Sequence, residues 1–560
     1  MKEKLTAIFL VFLLTMSLFV GCAPKENEAN TEKTADSNTE KEEEKPADEG
    51  KNEGMVLNFC LPDEPRTLDP TLNSQAVAGD IINNIYEGLM REVDGELVPA
   101  IAERYEVSDD GLKYTFYLKD TKWSDGKPLT AHDFKYTWLR ALDPETASDY
   151  AMLLFYIKGG HEFFSGEGKK EDVAINVIDD RTLEVELKSP TPYFLNLTSF
   201  YTYLPVRQDV VEKDSEGWAT NTDIIVTNGP FTLKEYVSGD RFVLEKNENY
   251  WNADKVKLDK INANILVNES TALMAYQSDD IDIMSNIPTQ EIPILSSESD
   301  EFNIRPKIGT YFYVFNNSKA PTDDVNVRKA LNLAIDRKSI CENITKGAEV
   351  PATTYVPPGL KDTRGNEFSS MVDYGISPEA DIEKAKEYLT KAGYPDGEGF
   401  PEIEILYNTS ETHKIIAEAI QEMWKKNLNI EVSLTNQEWP VFASSRRYGK
   451  YTGAARFGWF VDYADAMSML EILESQDTNN SAQWMSEEYN QLLLDARNEN
   501  DPEKRDEALY AAEKMLFDQQ VIMPIFYYTD KFLIKKRVVD WQKGSLGNWF
   551  FGYTYIDNQL

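Results

Sequence analysis

A chain of 560 residues with 58 Lys and Arg against 96 Asp and Glu carries a formal charge of −38. Its length predicts roughly two to four domains, and 41% hydrophobic with 12% aromatic residues is enough apolar material to build cores. So acidic a surface argues against nucleic acid and anionic lipid headgroups as partners, while three cysteines exclude a disulfide framework and three histidines leave little for a metal centre.

Lys2 and Lys4 open the chain, and Leu5 to Val20 is apolar apart from Thr6, Thr15 and Ser17. That is a positive n-region followed by an apolar stretch short of a confident membrane span. It ends in Leu18-Phe19-Val20-Gly21-Cys22, which resembles the bacterial lipobox, with Phe19 where Leu is usual. The resemblance implies a signal peptide over 1–21 and a lipid on Cys22; an ordinary secretory signal and an uncleaved anchor are the alternatives. Ala23 to Gly54 then holds eleven acidic and five basic residues and almost nothing apolar. Such a segment cannot offset its chain entropy by burial, so residues 22–54 read as a flexible acidic tether that holds a body away from a membrane.

From Met55 onward no low-complexity break and no fixed-period repeat interrupts the chain. Strand-like runs recur at Thr115–Leu118, Leu183–Leu187, Phe242–Glu245, Tyr311–Phe315, Ile403–Tyr407 and Ile430–Leu434. Ser377-Pro378-Glu379 predicts a helix start with an N-cap, a Pro at the first helical position and an early acid, and Gly393 its end. The run Ile403–Tyr407, a helix from Ser410 through Asn427 and the run Ile430–Leu434 predict a βαβ unit. Pro502–Gln519 reads as an amphipathic helix with Ala508, Ala511, Ala512, Met515 and Leu516 on one face. Cys60 and Cys341 read as two buried thiols. The missing linkers leave two architectures open: one large domain, or interleaved domains joined by ordered strands.

The usual signatures of enzymes are missing from the sequence. It has no G-x-x-x-x-G-K-[ST], no G-x-G-x-x-G after a strand, no G-x-S-x-G and no H-E-x-x-H. His161-Glu162 begins like the zinc motif, but Ser165 stands where the second His is needed. No cofactor, no metal and no catalysis are expected, with a hydrolase of unknown type as the residual possibility.

Several segments resemble the periplasmic or lipoprotein oligopeptide-binding proteins, within family 5 of the bacterial extracellular solute-binding proteins. They are Leu68-Asp69-Pro70 with Tyr86-Glu87-Gly88-Leu89, Tyr114 to Lys119, Trp123-Ser124-Asp125-Gly126 and Thr130-Ala131-His132-Asp133-Phe134. Further on come Thr227 to Phe231, Val327 to Leu331, Tyr407-Asn408-Thr409-Ser410 with His413, and Arg456 through Gly458-Trp459 to Asp462-Tyr463. The resemblance spans about residues 55–560 in the family's order. It implies an α/β fold, a two-lobed periplasmic-binding-protein-like clamp (class II) with an additional domain inserted in the first lobe. The expected division is 55–86, 207–308 and 530–560 for lobe I, 87–206 for the insert and 309–529 for lobe II.

The resemblance also implies the site. Asp462 matches the acid that pairs with a peptide α-ammonium, a charge-assisted and strongly orienting contact. Arg456 matches a basic residue near the peptide carboxylate, and Arg446 a second one, although an extra residue between Trp439 and Arg456 leaves Arg447 as the alternative. His413 falls in the first turn of the helix after Ser410, where free N–H groups and the helix dipole favour a carboxylate. Trp439 and Trp459 would wall side-chain pockets. Tyr150 would hydrogen-bond the peptide from the insert, and Tyr528 would sit near the hinge. Ser74 stands where the enteric-type pattern has an acid, which leaves backbone readout at Ser74–Ala76.

The implied function is a lipid-anchored, monomeric receptor on the outer face of the cell membrane. It would capture short peptides for an ABC permease with separate cytoplasmic ATPase subunits. Other ligands on the same fold are the alternative: dipeptides, murein peptides, signalling peptides, nickel, haem or sugars.

Overall fold

The computed structural model describes residues 54–559 apart from Asp94, Gly347 and Thr478; the signal-like stretch, Cys22 and most of the acidic segment lie outside them. Within the described residues two β-sheets dominate. One is a four-stranded antiparallel sheet in the order Ala102–Val107, Lys113–Leu118, Thr182–Glu186, Ile175–Asp179. It packs on the helix Ala131–Ala141, which starts with a capping box between Thr130 and Asp133 and buries Phe134 and Trp138.

The other sheet has eleven strands and owes its length to two long antiparallel members, Phe302–Phe315 and Ile522–Ile534. At one end of this pair, Leu533 and Ile534 meet the short strand Ile283–Met284, which leads to Val56–Leu61, Lys260–Ile265, Arg241–Lys246 and Phe231–Val237. At the other end, Gly309 to Phe315 pairs with Gly453–Phe460, which continues to Ile403–Asn408 and Val432–Gln437. Two strand groups far apart in sequence therefore share one pair of strands. Aromatic and β-branched side chains dominate Tyr311–Phe315, and all five of these residues are buried.

The pairing of the long strands slips between Pro306 and Thr310. Pro306 lies opposite Thr529 and Thr310 opposite Tyr527, so Lys307, Ile308 and Gly309 face the single residue Tyr528. A bulge of this kind bends the strand and re-aims a side chain. Gly309 is required there, because a Cβ would lie 2.4 Å from the Phe460 ring and 2.7 Å from the Trp459 carbonyl oxygen.

The βαβ unit forms as the sequence predicts: Ile403–Asn408 and Val432–Gln437 are parallel, joined by the helix Glu411–Leu428. Ser410 caps that helix by accepting the His413 N–H, and Asn429 ends it at φ 57°. This left-handed end takes Ile430 out of the predicted strand.

Two further expectations are corrected. The helix predicted from Ser377-Pro378 begins at Ile382 instead, because the Asp381 carboxylate accepts the Lys384 N–H at 3.1 Å and takes the cap. On the helix Pro502–Asp518, Ala511 is exposed, and the buried face is carried by Arg505, Leu509, Ala512, Glu513, Leu516 and Phe517. Cys60 and Cys341 are free and buried, and burial pushes both thiols up to about 12.

Candidate functional site

The strand Gly453–Phe460 carries the residues that the sequence singles out. Side chains two apart point to the same face of a strand, so Arg456, Gly458 and Phe460 form one row and Phe457 and Trp459 the opposite one. Asp462 lies just past the strand's end. At about 3.3 Å per residue, Arg456 and Asp462 are separated by roughly 13–20 Å, the span of an extended chain of four to six residues.

Asp462 is half-buried and forms no ion pair among the described residues. Its N–H donates to Ser468 Oγ at 2.9 Å, and its Oδ1 accepts from the Tyr150 hydroxyl at a long 3.5 Å. Ser468 is a double pin, since its carbonyl also accepts Trp459 Nε1–H at 2.9 Å. Desolvation pushes the Asp462 carboxyl up to about 7, as expected of a carboxylate out of water without a cation.

The opposite end is cationic. Arg456 donates from Nη2 to the Tyr528 hydroxyl at 3.1 Å and lies 4.8 Å from the Tyr311 ring centroid. Arg446 lies 3.5 Å over the Phe457 ring. Neither guanidinium has a carboxylate within salt-bridge distance among the described residues, and the Nε of each is buried without a hydrogen-bond partner. Burial, and after it the charge of Arg456, pushes Arg446 down to about 9. Both side chains are half-buried, and two uncompensated cations near enough to perturb one another are costly to desolvate unless an anion joins them.

The structure separates the two arginine candidates: Arg446 packs on Phe457, whereas Arg447 is exposed on the same helix, Trp439–Arg447. Tyr528 occupies the bulge, with its ring 4.5 Å from Phe460. Gly458 makes room for it, since a Cβ there would lie 2.5 Å from the Tyr528 hydroxyl.

His413 is near Arg456 and differs from the sequence expectation in one respect, its own N–H. Its N–H is already taken by Ser410 Oγ at 3.4 Å, and burial followed by Arg456 pushes its imidazole down to about 3. It is therefore neutral, with Nδ1 3.2 Å from the Tyr311 hydroxyl. The remaining candidates are more scattered. Trp439 is 54% exposed. Ser74 is half-buried and Ala76, the first residue of the helix Ala76–Ile85, is exposed. No hydrogen bond joins Ser74 to the Asp462 group; their connection is indirect, through Ser148 Oγ, two residues before Tyr150, donating to the Thr71 carbonyl at 2.6 Å.

Sequence reasoning did not single out Tyr311, Ser468, Phe457 or Phe460 as site residues. The contacts of Tyr311, Phe457 and Phe460 arise from pairing between Phe302–Phe315, Gly453–Phe460 and Ile522–Ile534, which no local pattern announces, whereas Ser468 reaches Asp462 and Trp459 from the short helix Met467–Leu470 just downstream. Among the described residues no group of three or more His, Cys, Asp or Glu is arranged to hold a metal, and no helix is long and apolar enough to cross a membrane.

Residues 96–481 match the family described as bacterial extracellular solute-binding proteins, family 5 middle. Over 523 residues the chain is 38% identical to the oligopeptide-binding protein OppA of Bacillus subtilis (strain 168), covering 91% of this chain and 94% of that one. It is 37% identical to the dipeptide-binding protein DppE of the same organism, with 88% and 90% covered. The crystal structure of Haemophilus influenzae OppA in complex with RPPGFSPFR is similar at 31% identity with a TM-score of 0.73, covering 90% of this chain and 99% of that one.

Proposed function

The chain belongs to family 5 of the bacterial extracellular solute-binding proteins, and on that premise we propose that it is the peptide-binding receptor of an ABC importer. It takes short oligopeptides outside the cytoplasm and hands them to a membrane permease, and the ATPase is a separate subunit. One observation carries this reading: an acid without a cation just past one end of the strand Gly453–Phe460, and two half-buried arginines without an acid, Arg456 on that strand and Arg446 over its Phe457 ring. A zwitterionic peptide supplies both missing charges, and its backbone spans the distance between them.

In this reading Asp462 holds the ammonium and Arg456 with Arg446 holds the carboxylate. His413 serves as a neutral hydrogen-bonding group. Tyr150, Tyr528, Trp439 and Trp459 contact the peptide chain, and Ser74–Ala76 offers backbone. Residues 55–86, 207–308 and 530–560 form lobe I, 87–206 the inserted domain and 309–529 lobe II; the shared pair of long strands supports that division. The protein is a monomer that carries lipid on Cys22, performs no chemistry and needs no cofactor.

Calorimetric titration with tri- to pentapeptides, against free amino acids and a disaccharide, tests the reading. Tight binding confined to peptides, recovered intact after overnight incubation, is expected. Peptides that fail to bind, or that are returned cleaved, would overturn it.

A further inference from the structure

A second contact between distant segments lies beside Asp462 and uses none of the residues assigned to the peptide. Tyr193, which follows the four-stranded sheet, stacks on Tyr463, the residue after Asp462, with ring centroids 4.3 Å apart and planes within 13°. Tyr156 stands edge-on to Tyr193 at 5.5 Å, and its hydroxyl lies 3.5 Å from that of Tyr463. Tyr193 and Tyr463 are only 4% and 2% exposed.

The second-lobe side of this contact is braced. The Tyr463 hydroxyl donates to Glu471 Oε1 at 2.8 Å, and Glu471 in turn accepts from Arg497 at 3.2 Å. Arg505 is held by Asp465 at 2.8 Å and stands 5.6 Å from the Tyr193 ring. The insert side is braced too: the Lys188 N–H donates to the Tyr156 carbonyl at 2.9 Å. No strand pairing joins the four-stranded sheet to the eleven-stranded one. If the two parts separate, this stack is surrendered and two tyrosine faces are returned to water.

We propose that Tyr156 and Tyr193, closing on Tyr463, form a clasp at the ammonium end of the cleft that sets the balance between open and closed forms. They are positioning residues: they act on peptide affinity through closure and touch no peptide atom. A stacked aromatic pair shifts an equilibrium by roughly two- to tenfold beyond its area burial. A ligand that binds only the closed form has an apparent affinity proportional to the closed fraction. The clasp is therefore weak enough to open for a ligand and strong enough to matter. The inference rests on the two-lobed division proposed above.

The test combines small-angle X-ray scattering with peptide-binding kinetics on wild type, Tyr193→Leu, Tyr193→Phe, Tyr463→Leu and the Leu double variant. For Tyr193→Leu, a larger radius of gyration without peptide and a two- to tenfold weaker tripeptide Kd are expected, with the change mostly in the dissociation rate. Tyr193→Phe keeps the stack and should behave like wild type. The double variant should be no worse than the weaker single one, because both remove one interaction. Tyr463→Leu approaches the stack from the other side, so a folding defect in one variant leaves the other decisive. Unchanged scattering and kinetics in a folded Leu variant, or single effects that simply add, would overturn the clasp. Failure of the wild type to bind any peptide would instead count against the receptor reading, and scattering of the ligand-free variants would still decide the clasp.

Discussion

Replacing Asp462 by Asn removes the charge while keeping the shape, and its effect should depend on pH in a way fixed by the site. The wild-type carboxyl, pushed up to about 7 by desolvation, is roughly half ionised at pH 7 before a peptide arrives. An incoming ammonium needs the ionised form, so affinity should fall about fiftyfold between pH 7 and pH 5, costing about 2.3 kcal/mol and approaching tenfold for each pH unit. At pH 8 the variant leaves the ammonium desolvated without its partner. Breaking such a pair costs on the order of 3–5 kcal/mol, or roughly two to four decades of affinity. At pH 5 the two proteins should differ far less, and the variant should show little pH slope of its own. Glu471, also raised to about 7 mainly by burial, titrates in the same range, and the Asn variant retains it; a slope that survives the substitution therefore belongs elsewhere. Calorimetry between pH 5 and 8 in buffers of different ionisation heat should also register proton release on binding near neutrality. The same titrations with N-acetylated peptides complete a double-mutant-type cycle. Equal binding of free and N-acetylated peptide by the wild type would refute the reasoning outright.

Stability should run the other way. Asp462, Glu471 and Glu513 all have folded values raised to about 7, primarily by desolvation. The folded state therefore binds more protons than the unfolded one between about pH 4 and 7, so stability is greatest below that window and is lost as pH rises through it. Thermal unfolding of the ligand-free protein should show a midpoint that falls from pH 5 to pH 8, and Glu513→Gln should reduce that fall. Glu513→Ala should be destabilising by about 2–4 kcal/mol in chemical denaturation, because it strands the Tyr355 and Val356 N–H groups and the Tyr374 hydroxyl. Gly458→Ala, whose Cβ would lie 2.5 Å from the Tyr528 hydroxyl, should displace Tyr528 from Arg456 and weaken peptide binding about tenfold or more in calorimetry, with thermal stability less affected. Cys22→Ala should release the protein from the membrane fraction with peptide affinity unchanged; retention would point to an uncleaved anchor.

Local chemistry was readable from the sequence wherever neighbours along the chain do the work. The βαβ unit at 403–437 follows from two short apolar runs flanking a capped helix, and Ser410 caps it as its position predicts. The ordered set of motifs from Leu68 to Asp462 identifies the family without any structure. Where two local options compete, the chain alone misleads: Ser377-Pro378 reads as a helix start, yet Asp381 makes the better cap, and Ala511 fits the apolar face of a helix whose burial is set by what packs beside it.

Tertiary structure decided the rest, because it depends on which distant strands lie side by side. Arg446 and Arg447 are indistinguishable by spacing, and only the Phe457 ring beneath Arg446 separates them. The helix start at His413 is legible locally, but the neutrality of its imidazole follows from the packing of Arg456 and the loss of water. The bulge opposite Tyr528, and the meeting of Tyr193 with Tyr463 some 270 residues apart in sequence, arise from strand register and sheet placement. A charge or a ring has a local identity, but its solvation, pairing and energy belong to the neighbours that the fold brings to it.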